Sequence, residues 1–380
     1  MKKTPLPLSP RALGLIALAI VASLPFWSGC GSDSGNAPSA PDQSWEKAEL
    51  SLDSPRIAAV AAVQDRHTPD LMQDPEIVGT ATGLTEDGRP AILVFTASDR
   101  QGKAPMPVTI EGVPVIVHVT GPLKAFKSGG GVSHTAKQTP PIQLGTSGGW
   151  RYDLANGYCC GGTLGSLVQK GGTQYILSNW HVLYSDIVNG GNSRTAQPGD
   201  PVIQPALIDV ACNAANAQNV ATLVANGGSL PSGNVDAGIA QVTSGMVRTD
   251  GSILEIGTIS ATTIAPFVGQ AVKKSGRTTG LSRASVTGIN GTVTIGYENE
   301  CAGGSAFNKT YTGQIITSNA RCRFLNGGDS GSLMVQDVTT DPRAVGLLYA
   351  GSVTCSQSAI AIANPIGAVL SYFGATMVGN

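Results

Sequence analysis

Charged and aromatic residues are scarce in this sequence, and each shortage excludes a class of function. Charged residues make up 13% of the chain, the formal net charge is −1, and no long block of like charge occurs. A nucleic-acid-binding protein held by a basic face is therefore not expected. Aromatic residues make up only 5%, which leaves few side chains on which bases could stack.

Metal-binding spacings are also missing. The sequence contains no CxxC or HxxxH pattern, and its four histidines lie far apart, at His67, His118, His134 and His181. Structural zinc sites are built from closely spaced ligand pairs of that kind. We therefore expect neither a metal ion nor another cofactor.

Glycine and apolar residues, in contrast, are plentiful. Glycine accounts for 49 of the 380 residues, and apolar residues make up 41% of the chain. That apolar content supports a packed core and is too high for a wholly disordered chain. The length allows two or three domains. Many short runs of valine, isoleucine and threonine between glycine-rich turns favour an all-β fold.

The N-terminus has the features of an export signal. Basic residues up to Arg11 precede an apolar stretch, Ala12 to Leu24, that is too short to span a bilayer comfortably. Small residues and then Cys30 follow. This pattern resembles a bacterial lipoprotein signal, in which the cysteine becomes the lipidated first residue of the mature chain. No later stretch is long and apolar enough to span a membrane.

This resemblance implies a location. We expect residues 1–29 to be a signal peptide and residues 30–50 a flexible tether. The mature protein would then be held at a membrane of the cell envelope through a lipid on Cys30. The alternative is ordinary secretory cleavage, with Cys30 incidental and the protein secreted.

Two folded segments are expected after the tether. In residues 51–125, the apolar spacing predicts a helix from Ser54 to Gln73, broken near Pro69, followed by strands, which gives a small α+β domain. Residues 126–141, rich in glycine and proline, are predicted to be a linker. Residues 142–376 read as many short strands with one late helix, Ile366 to Phe373, a pattern typical of two antiparallel β-barrels.

Three short motifs in the second segment carry candidate chemistry. NWHVL contains His181 and NVDAGIA contains Asp236, and each motif alone is weak evidence, because such residues at strand ends are commonly structural. GGDSGS contains Ser330 and is more specific. A serine nucleophile needs a tight glycine-rich turn that exposes its hydroxyl and aims backbone N–H groups at the developing oxyanion.

Together, the three motifs resemble those of the trypsin/chymotrypsin-like serine peptidases. The order His181, Asp236, Ser330 differs from the α/β-hydrolase and subtilisin orders. A fourth motif, SGRTTG at residues 275–280, is similar to that of the bacterial α-lytic and streptogrisin-type enzymes. The arrangement of a small domain before the peptidase is similar to bacterial proteins related to the plant narrow-leaf trypsin-like proteins. The resemblance covers residues 142–376 and implies a double antiparallel β-barrel.

The resemblance also implies roles for individual residues. His181, Asp236 and Ser330 would form a catalytic triad, and the backbone N–H groups of Gly328 and Ser330 would form the oxyanion hole. Asp329 would be the buried partner of a charged group. The substrate pocket would have Phe324 at its floor and Ala350, Gly351 and Ser352 at its wall. Because this pocket contains no carboxylate, small or apolar residues are expected before the scissile bond.

The chain departs from those bacterial enzymes beside SGRTTG. They have a cysteine on each side of this motif, whereas Lys273 and Arg283 stand there in this chain.

Disulfides are expected because six cysteines, an even number, remain in the exported chain after Cys30. We predict a bond between Cys301 and Cys322, which bracket a glycine-rich loop leading into the serine turn. Closing a loop of about 20 residues is worth roughly 3 kcal/mol. The competing interpretation is that all six cysteines are buried thiols.

The other four cysteines allow more than one pairing. Cys159 and Cys160 are adjacent, so geometry disfavours a bond between them. Cys212 is therefore expected to pair with one of these two residues. Cys355 would pair with the other or stay free.

Two functions from different classes remain open at this point. The first is an exported serine endopeptidase that acts on peptide or protein substrates. The second is a surface-anchored binding or scaffold protein with a peptidase fold and little turnover. Residues 51–125 could be a folding aid, an inhibitor, a partner-binding module or a spacer, and the oligomeric state is left open.

Overall fold

The structure, a computed structural model, describes residues 50–100, 105–125, 133–155, 158–184, 195–230, 232–297 and 306–380. The predicted signal peptide, Cys30 and all of the tether except Leu50 lie outside the described residues. Residues Gln43–Asn380 make up one compact unit. In the parts described here, no helix combines the length and the apolar character needed to cross a membrane.

Within residues 50–100 and 105–125, the structure describes one helix and five strands. They are α1 (Pro55–Leu71), β1 (Ile77–Leu84), β2 (Pro90–Thr96), β3 (Thr109–Ile110), β4 (Val113–Val119) and β5 (Leu123–Ala125). Pro69 lies inside α1 and does not break it, contrary to expectation. It falls in the last turn, which is closed by a hydrogen bond from Met72 N to Thr68 O. Val60 and Val63 of α1 pack on Ile92 and Val94 of β2.

In the described residues, the first barrel has six strand positions and one four-residue helix, α2 (Trp180–Leu183). Its strands are β6 (Thr146–Trp150), β9 (Gly162–Leu164), β10 (Ser166–Lys170), β11 (Thr173–Ser178), β12 (Pro201–Gln204), β13 (Gln218–Gly228) and β14 (Gly238–Val242). A small hairpin, β7 (Leu154–Ala155) and β8 (Tyr158–Cys159), lies between β6 and β9. β9 and β10 act as one strand, because β9 pairs with β6 while β10 pairs with β11. The order β10-β11-β14-β13-β12-β6-β9 therefore closes on itself.

The second barrel follows a short hairpin, β15 (Ser252–Ile253) and β16 (Gly257–Thr258). Its strands are β17 (Ala271–Lys274), β18 (Ser282–Tyr297), β19 (Phe307–Ser318), β20 (Leu333–Gln336), β21 (Ala344–Ser352) and β22 (Ile360–Pro365). They run in the order β17-β20-β21-β22-β19-β18, and pairing of β17 with β18 closes the ring. The fold is thus the expected double antiparallel β-barrel.

The C-terminus returns to the first barrel. The predicted late helix is present as α3 (Ile366–Phe373), and β23 (Thr376–Met377) pairs with β10. Val369 and Phe373 of α3 pack in a core that contains Leu177 of the first barrel and Leu347 of the second. The two barrels therefore share a continuous apolar core.

The N-terminal strands extend the sheet of the second barrel. β1 pairs antiparallel with β18, β2 pairs with β1, and β4 pairs parallel with β2. Buried Gln64 of α1 fastens this junction, since its Nε2 donates to Thr80 Oγ1 at 3.2 Å and to Asn290 O at 3.1 Å. The expected division at residues 126–141 stays a prediction, and residues 126–132 lie outside the described residues.

The disulfides differ in part from the predicted pairing. Cys159 bonds to Cys212, as expected for one member of the adjacent pair. Cys160 is disulfide-bonded as well. Cys322 bonds to Cys355, so the predicted Cys301–Cys322 bond is wrong. The expectation that Cys355 would pair with a member of the adjacent pair or stay free is wrong for the same reason. Cys301 itself lies outside the described residues.

The pairing of Cys322 depends on a contact that exists only in the folded chain. Cys322 is the last residue of a short turn, and this turn lies next to the loop between β21 and β22. Arg321 N donates to Ser356 O at 2.8 Å, which brings Cys355 beside Cys322. The spacing of cysteines along the sequence does not contain this contact.

Candidate active site

His181 and Asp236 are brought together by one strand pairing in the first barrel. β11 ends at Ser178, which lies opposite Gly238 at the start of β14. His181 follows in a four-residue helix, α2 (Trp180–Leu183), and Asp236 immediately precedes β14. The ring Nδ1 of His181 is 2.6 Å from Asp236 Oδ2, and both side chains are buried.

The backbone of Asp236 is held by two asparagine side chains. Asn179 Nδ2 donates to Asp236 O at 2.8 Å. Asn364, on β22 of the second barrel, accepts from Asp236 N at 3.0 Å and donates to Asp236 O at 3.1 Å. These contacts leave the carboxylate free to face His181.

The Ser330 turn requires glycine at two positions. Gly328 and Gly331 have φ values of 91° and 94°, a region that side chains disfavour. A Cβ on Gly331 would lie 2.2 Å from Thr163 O, so β9 of the first barrel packs directly against the turn. Thr163 N on β9 also donates to Ser330 O at 2.8 Å, so the backbone of Ser330 is hydrogen-bonded to the first barrel.

Ser330 itself is not hydrogen-bonded to His181. Its hydroxyl donates to Tyr349 O at 3.2 Å, and its side chain is fully buried. The Nε2 atom of His181 is also buried and has no hydrogen-bond partner among the described residues. The Ser330 turn lies beside the segment that carries His181, since a Cβ on Gly331 would meet Ser178 Oγ at 2.3 Å, and a Cβ on Gly162 would meet both Val182 Cγ2 and Ser330 O, at 2.5 and 2.9 Å.

Two backbone amides in the turn point to an anion site. Across the described ranges, neither Gly328 N–H nor Ser330 N–H has a hydrogen-bond acceptor. The neighbouring amide of Gly331 does have one, since it donates to Leu348 O at 2.9 Å. Two unpartnered amides with one residue between them in a tight turn match the requirement of an oxyanion hole.

Asp329 is held in place beside Ser330 by a buried lysine. Lys274 Nζ lies 3.0 Å from Asp329 Oδ1, and both side chains are fully buried. The same Oδ1 accepts from the backbone N–H groups of Thr278 and Thr279 at 2.9 and 3.1 Å. Burial lowers the pKa of Lys274, while the charge of Asp329 acts in the opposite direction. Lys274 is therefore the charged partner that was expected for Asp329.

Part of the chain is similar in sequence to a known protein. Over 112 residues the chain is 36% identical to Streptogrisin-A from Streptomyces griseus, a match that covers 30% of this chain and 32% of the relative. The match thus spans about a third of the relative's length. No protein-family model matches the chain. The resemblance to the trypsin/chymotrypsin-like serine peptidases is confirmed.

Solved structures of such peptidases are similar as well. A glutamic acid-specific serine protease that uses a histidine triad in substrate binding is 21% identical, with a TM-score of 0.42, over 62% of this chain and 100% of that chain. Protease A of Thermobifida fusca is 22% identical, with a TM-score of 0.38, over 63% and 99%.

The expected pocket residues are buried in the second barrel. Phe324 packs in an apolar cluster with Met334 and Val345. Ala350 lies in another apolar cluster, and Ser352 Oγ accepts from Ile360 N at 3.0 Å. Their roles in a substrate pocket stay a prediction.

The edge of β21 beyond the Ser330 turn is occupied by β5. β20 pairs with one edge of β21 as far as Leu347. The backbone of the Ser330 turn then forms hydrogen bonds with the next residue along the same edge of β21. From there β5 takes over in antiparallel register, with Ala125 opposite Ala350, Lys124 opposite Gly351 and Leu123 opposite Ser352. The chain therefore covers the backbone of its own predicted pocket wall.

Sequence reasoning missed Lys274, Asn364 and Tyr297. All three are buried polar side chains on strands of the second barrel. A lysine inside a strand next to SGRTTG is a usable signal, because a buried lysine needs an acidic partner. Asn364 and Tyr297 have no such signal, since both types occur widely in strands and loops.

Proposed function

We propose that this protein is an exported serine endopeptidase that hydrolyses peptide bonds through an acyl-enzyme intermediate. The observation that carries the proposal is the buried His181–Asp236 pair next to a glycine turn that holds Ser330. The similarity to Streptogrisin-A supports the same chemistry. The substrate would be a peptide or a protein.

The proposed mechanism begins with a rotation of the Ser330 hydroxyl. Turning from Tyr349 O to His181 Nε2 would give the hydroxyl a base, because Nε2 has no hydrogen-bond partner among the described residues and could accept its proton. Ser330 attacks the carbonyl, and His181 later returns the proton to the leaving amine. Asp236 keeps Nδ1 protonated and stabilises the imidazolium.

The oxyanion of the tetrahedral intermediate would be bound by the N–H groups of Gly328 and Ser330. Their directions are set before substrate arrives, because Gly331 and Asp329 anchor the turn on both sides of Ser330. Preorganised donors of this kind contribute about 3 kcal/mol each to transition-state stabilisation.

The position of β5 supports an inhibitory role for the N-terminal segment. A peptide substrate bound beside Ser330 would lie on the β21 edge at Ala350–Ser352, where β5 already forms backbone pairs. Of the roles open to residues 51–125, we propose that of a built-in inhibitor. Substrate and β5 then compete for the same edge.

A proline in β5 tests this inhibition. Lys124→Pro removes the N–H of the central β5 residue and constrains its backbone, so it weakens pairing with β21. We expect a fluorophosphonate probe to label Ser330 several-fold faster in this variant than in the wild type. Lys124→Ala is the matched control, because it keeps the backbone donor. Equal labelling rates in the folded proline and wild-type proteins would contradict the inhibitory role.

The same probe tests the peptidase itself. Labelling should map to Ser330 and disappear in Ser330→Ala and His181→Ala, each combined with Lys124→Pro. His67→Ala, which changes an exposed histidine on α1, should leave labelling intact. If the folded Lys124→Pro protein is not labelled at all, a binding or scaffold role replaces the enzyme.

We further propose that the mature protein is anchored in the cell envelope by a lipid on Cys30. Cells fed an alkyne-tagged fatty acid should yield labelled protein from the wild type and none from Cys30→Ala. Release of unlabelled wild-type protein into the medium would instead support simple secretion.

A further inference from the structure

A buried tyrosine hydroxyl contacts the Asp236 carboxylate. Tyr297, the last residue of β18, donates from its hydroxyl to Asp236 Oδ2 at 2.7 Å. This is the same oxygen that lies 2.6 Å from His181 Nδ1. The Tyr297 ring also meets the His181 ring edge-on, with 6.0 Å between centroids. Tyr297 therefore touches both members of the proposed acid–base pair.

The direction of these hydrogen bonds follows from counting protons. An ionised carboxylate only accepts, so the single hydroxyl proton of Tyr297 must point to Asp236. Tyr311 on β19 lies 2.6 Å away, oxygen to oxygen, and must then donate to Tyr297. The result is a donor chain from Tyr311 through Tyr297 to Asp236. Each bond in such a chain polarises and strengthens the next.

The carboxylate needs these donors because it is fully buried. Throughout the described segments, Asp236 has no lysine or arginine partner, and His181 is its single ion-pair neighbour. The other titratable groups that face it there are Tyr297 and, behind it, Tyr311 and Tyr349. Burial, and then the charge of Asp236, raises the pKa of Tyr297 well above its usual value. Its hydroxyl thus remains a proton donor throughout the physiological range.

We propose that Tyr297 is a positioning residue of the active site, which holds Asp236 in line with His181 and sets the strength of their ion pair. This inference rests on the proposed function. The phenol spreads the negative charge of Asp236 Oδ2 over two hydrogen bonds, so this oxygen attracts a proton on His181 less strongly. Without it, the imidazolium form of His181 gains stability.

The test is the pH profile of Tyr297→Phe. The variant is made in the Lys124→Pro background. We expect the midpoint of the acid side, or acid limb, of its kcat/KM profile to move to higher pH by about one unit, a shift that corresponds to roughly 1.4 kcal/mol. Above this limb, kcat/KM should fall about tenfold, because one hydrogen bond to a charged group is lost. A role in packing alone would lower stability or rate without moving the limb.

Two other tyrosines of the cluster provide graded controls. Tyr311→Phe leaves the bond from Tyr297 to Asp236 in place and removes only the donor behind it, so its shift should be smaller and in the same direction. Tyr349→Phe deletes a buried hydroxyl that has no partner in the part of the chain that the structure describes. Its acid limb should coincide with that of the parent, whatever its rate.

A measurement that does not need activity separates this inference from the proposed function. NMR titration of labelled imidazoles, with His181 assigned from the His181→Ala spectrum, follows the protonation of His181 directly. In folded Tyr297→Phe its midpoint should move to higher pH by the same amount. An unchanged midpoint overturns the inference, whereas a shifted midpoint in a protein without activity would overturn only the peptidase.

Discussion

At the scale of single residues, the chain uses a buried lysine to hold the turn that carries Ser330. Lys274 and Lys273 are adjacent on β17, but their side chains serve different ends. Lys274 Nζ pairs with Asp329 in the interior, whereas Lys273 Nζ donates to Val338 O at 2.7 Å. Alternation along the strand explains the difference, because neighbouring side chains point to opposite faces.

Replacing Lys274 should destabilise the protein strongly. Lys274→Met leaves the Asp329 carboxylate buried without its cation, which costs about 3–5 kcal/mol of unfolding free energy. Labelling of Ser330 should also be lost, because Asp329 no longer orients the turn. Urea unfolding measures the first effect and the fluorophosphonate probe the second.

Lys273→Met is the matched control for this prediction. It removes one hydrogen bond to a carbonyl and should cost about 1–3 kcal/mol, with labelling retained. Equal losses in the two variants would show that the Lys274–Asp329 pair has no special role.

At the scale of elements, a disulfide connects the approach to Ser330 with the loop after β21. Cys322 and Cys355 are 33 positions apart and close a loop that contains the whole serine turn. In the chain-entropy view, such a bond stabilises by restricting the unfolded chain. It also joins the two segments that bear the predicted floor and wall of the pocket.

Removal of this disulfide should therefore be costly. The double variant Cys322→Ser/Cys355→Ser is expected to lose about 2–4 kcal/mol of unfolding free energy. Peptide mapping without reduction should recover the wild-type pair as one cross-linked fragment. Recovery of Cys322 as a free thiol in folded wild-type protein would contradict the pairing.

The turn between β3 and β4 is tied to α1 by exposed charges. Glu111 accepts from Arg66 Nη2 at 2.5 Å and lies 2.8 Å from His67 Nε2. The hydrogen bond from Arg66, followed by that from His67, lowers the pKa of Glu111 from 4.5 to about 2. Because folding lowers this carboxyl pKa, the ionised Glu111 stabilises the folded protein at pH values above its unfolded pKa. This stabilisation is lost as the pH falls toward its folded pKa.

A pH series on Glu111→Gln checks this sign. The wild type should melt slightly higher than the variant above about pH 5, and the difference in Tm should shrink to nothing as pH falls toward about 2. The effect is small, because all three side chains are solvent-exposed. A difference that grows on acidification would contradict it.

At the scale of the whole molecule, an arginine from SGRTTG bridges the two barrels. Arg277 donates from Nε to Asp209 Oδ2 at 2.7 Å and from Nη2 to Asp209 Oδ1 at 2.5 Å. Asp209 lies in the turn between β12 and β13 of the first barrel. The guanidinium is almost fully buried, so this two-pronged pair is a strong contact between the halves.

Loss of the bridge should loosen the two barrels. Arg277→Met is expected to lower the unfolding free energy by about 3–5 kcal/mol, because the nearly buried Asp209 carboxylate loses its cation and keeps the hydrogen bond from Ser147 Oγ alone among its side-chain contacts in the described residues. Arg283→Met removes an exposed arginine that pairs with Asp337 and should cost less than about 1 kcal/mol. Thermal unfolding of both variants at one pH decides between these outcomes.

Local patterns were sufficient to predict much of the fold. The glycine-rich turns and short β-branched runs predicted two antiparallel barrels, and both are present. Helix α3 begins and ends at the residues that the sequence predicted. Such predictions succeed because hydrogen bonds in hairpins and helices join residues that are near each other in sequence.

The sequence by itself determined which side chains are available for the proposed chemistry: His181, Asp236 and Ser330 stand in motifs whose residue types predict a serine nucleophile, its base and a supporting carboxylate. The tertiary structure alone decided which groups support them. Tyr297, Lys274 and the Cys322–Cys355 bond act through contacts between strands and loops far apart in sequence. The register of β5 on β21 is of the same kind. Packing selects these partners by three-dimensional proximity, which residue spacing does not encode.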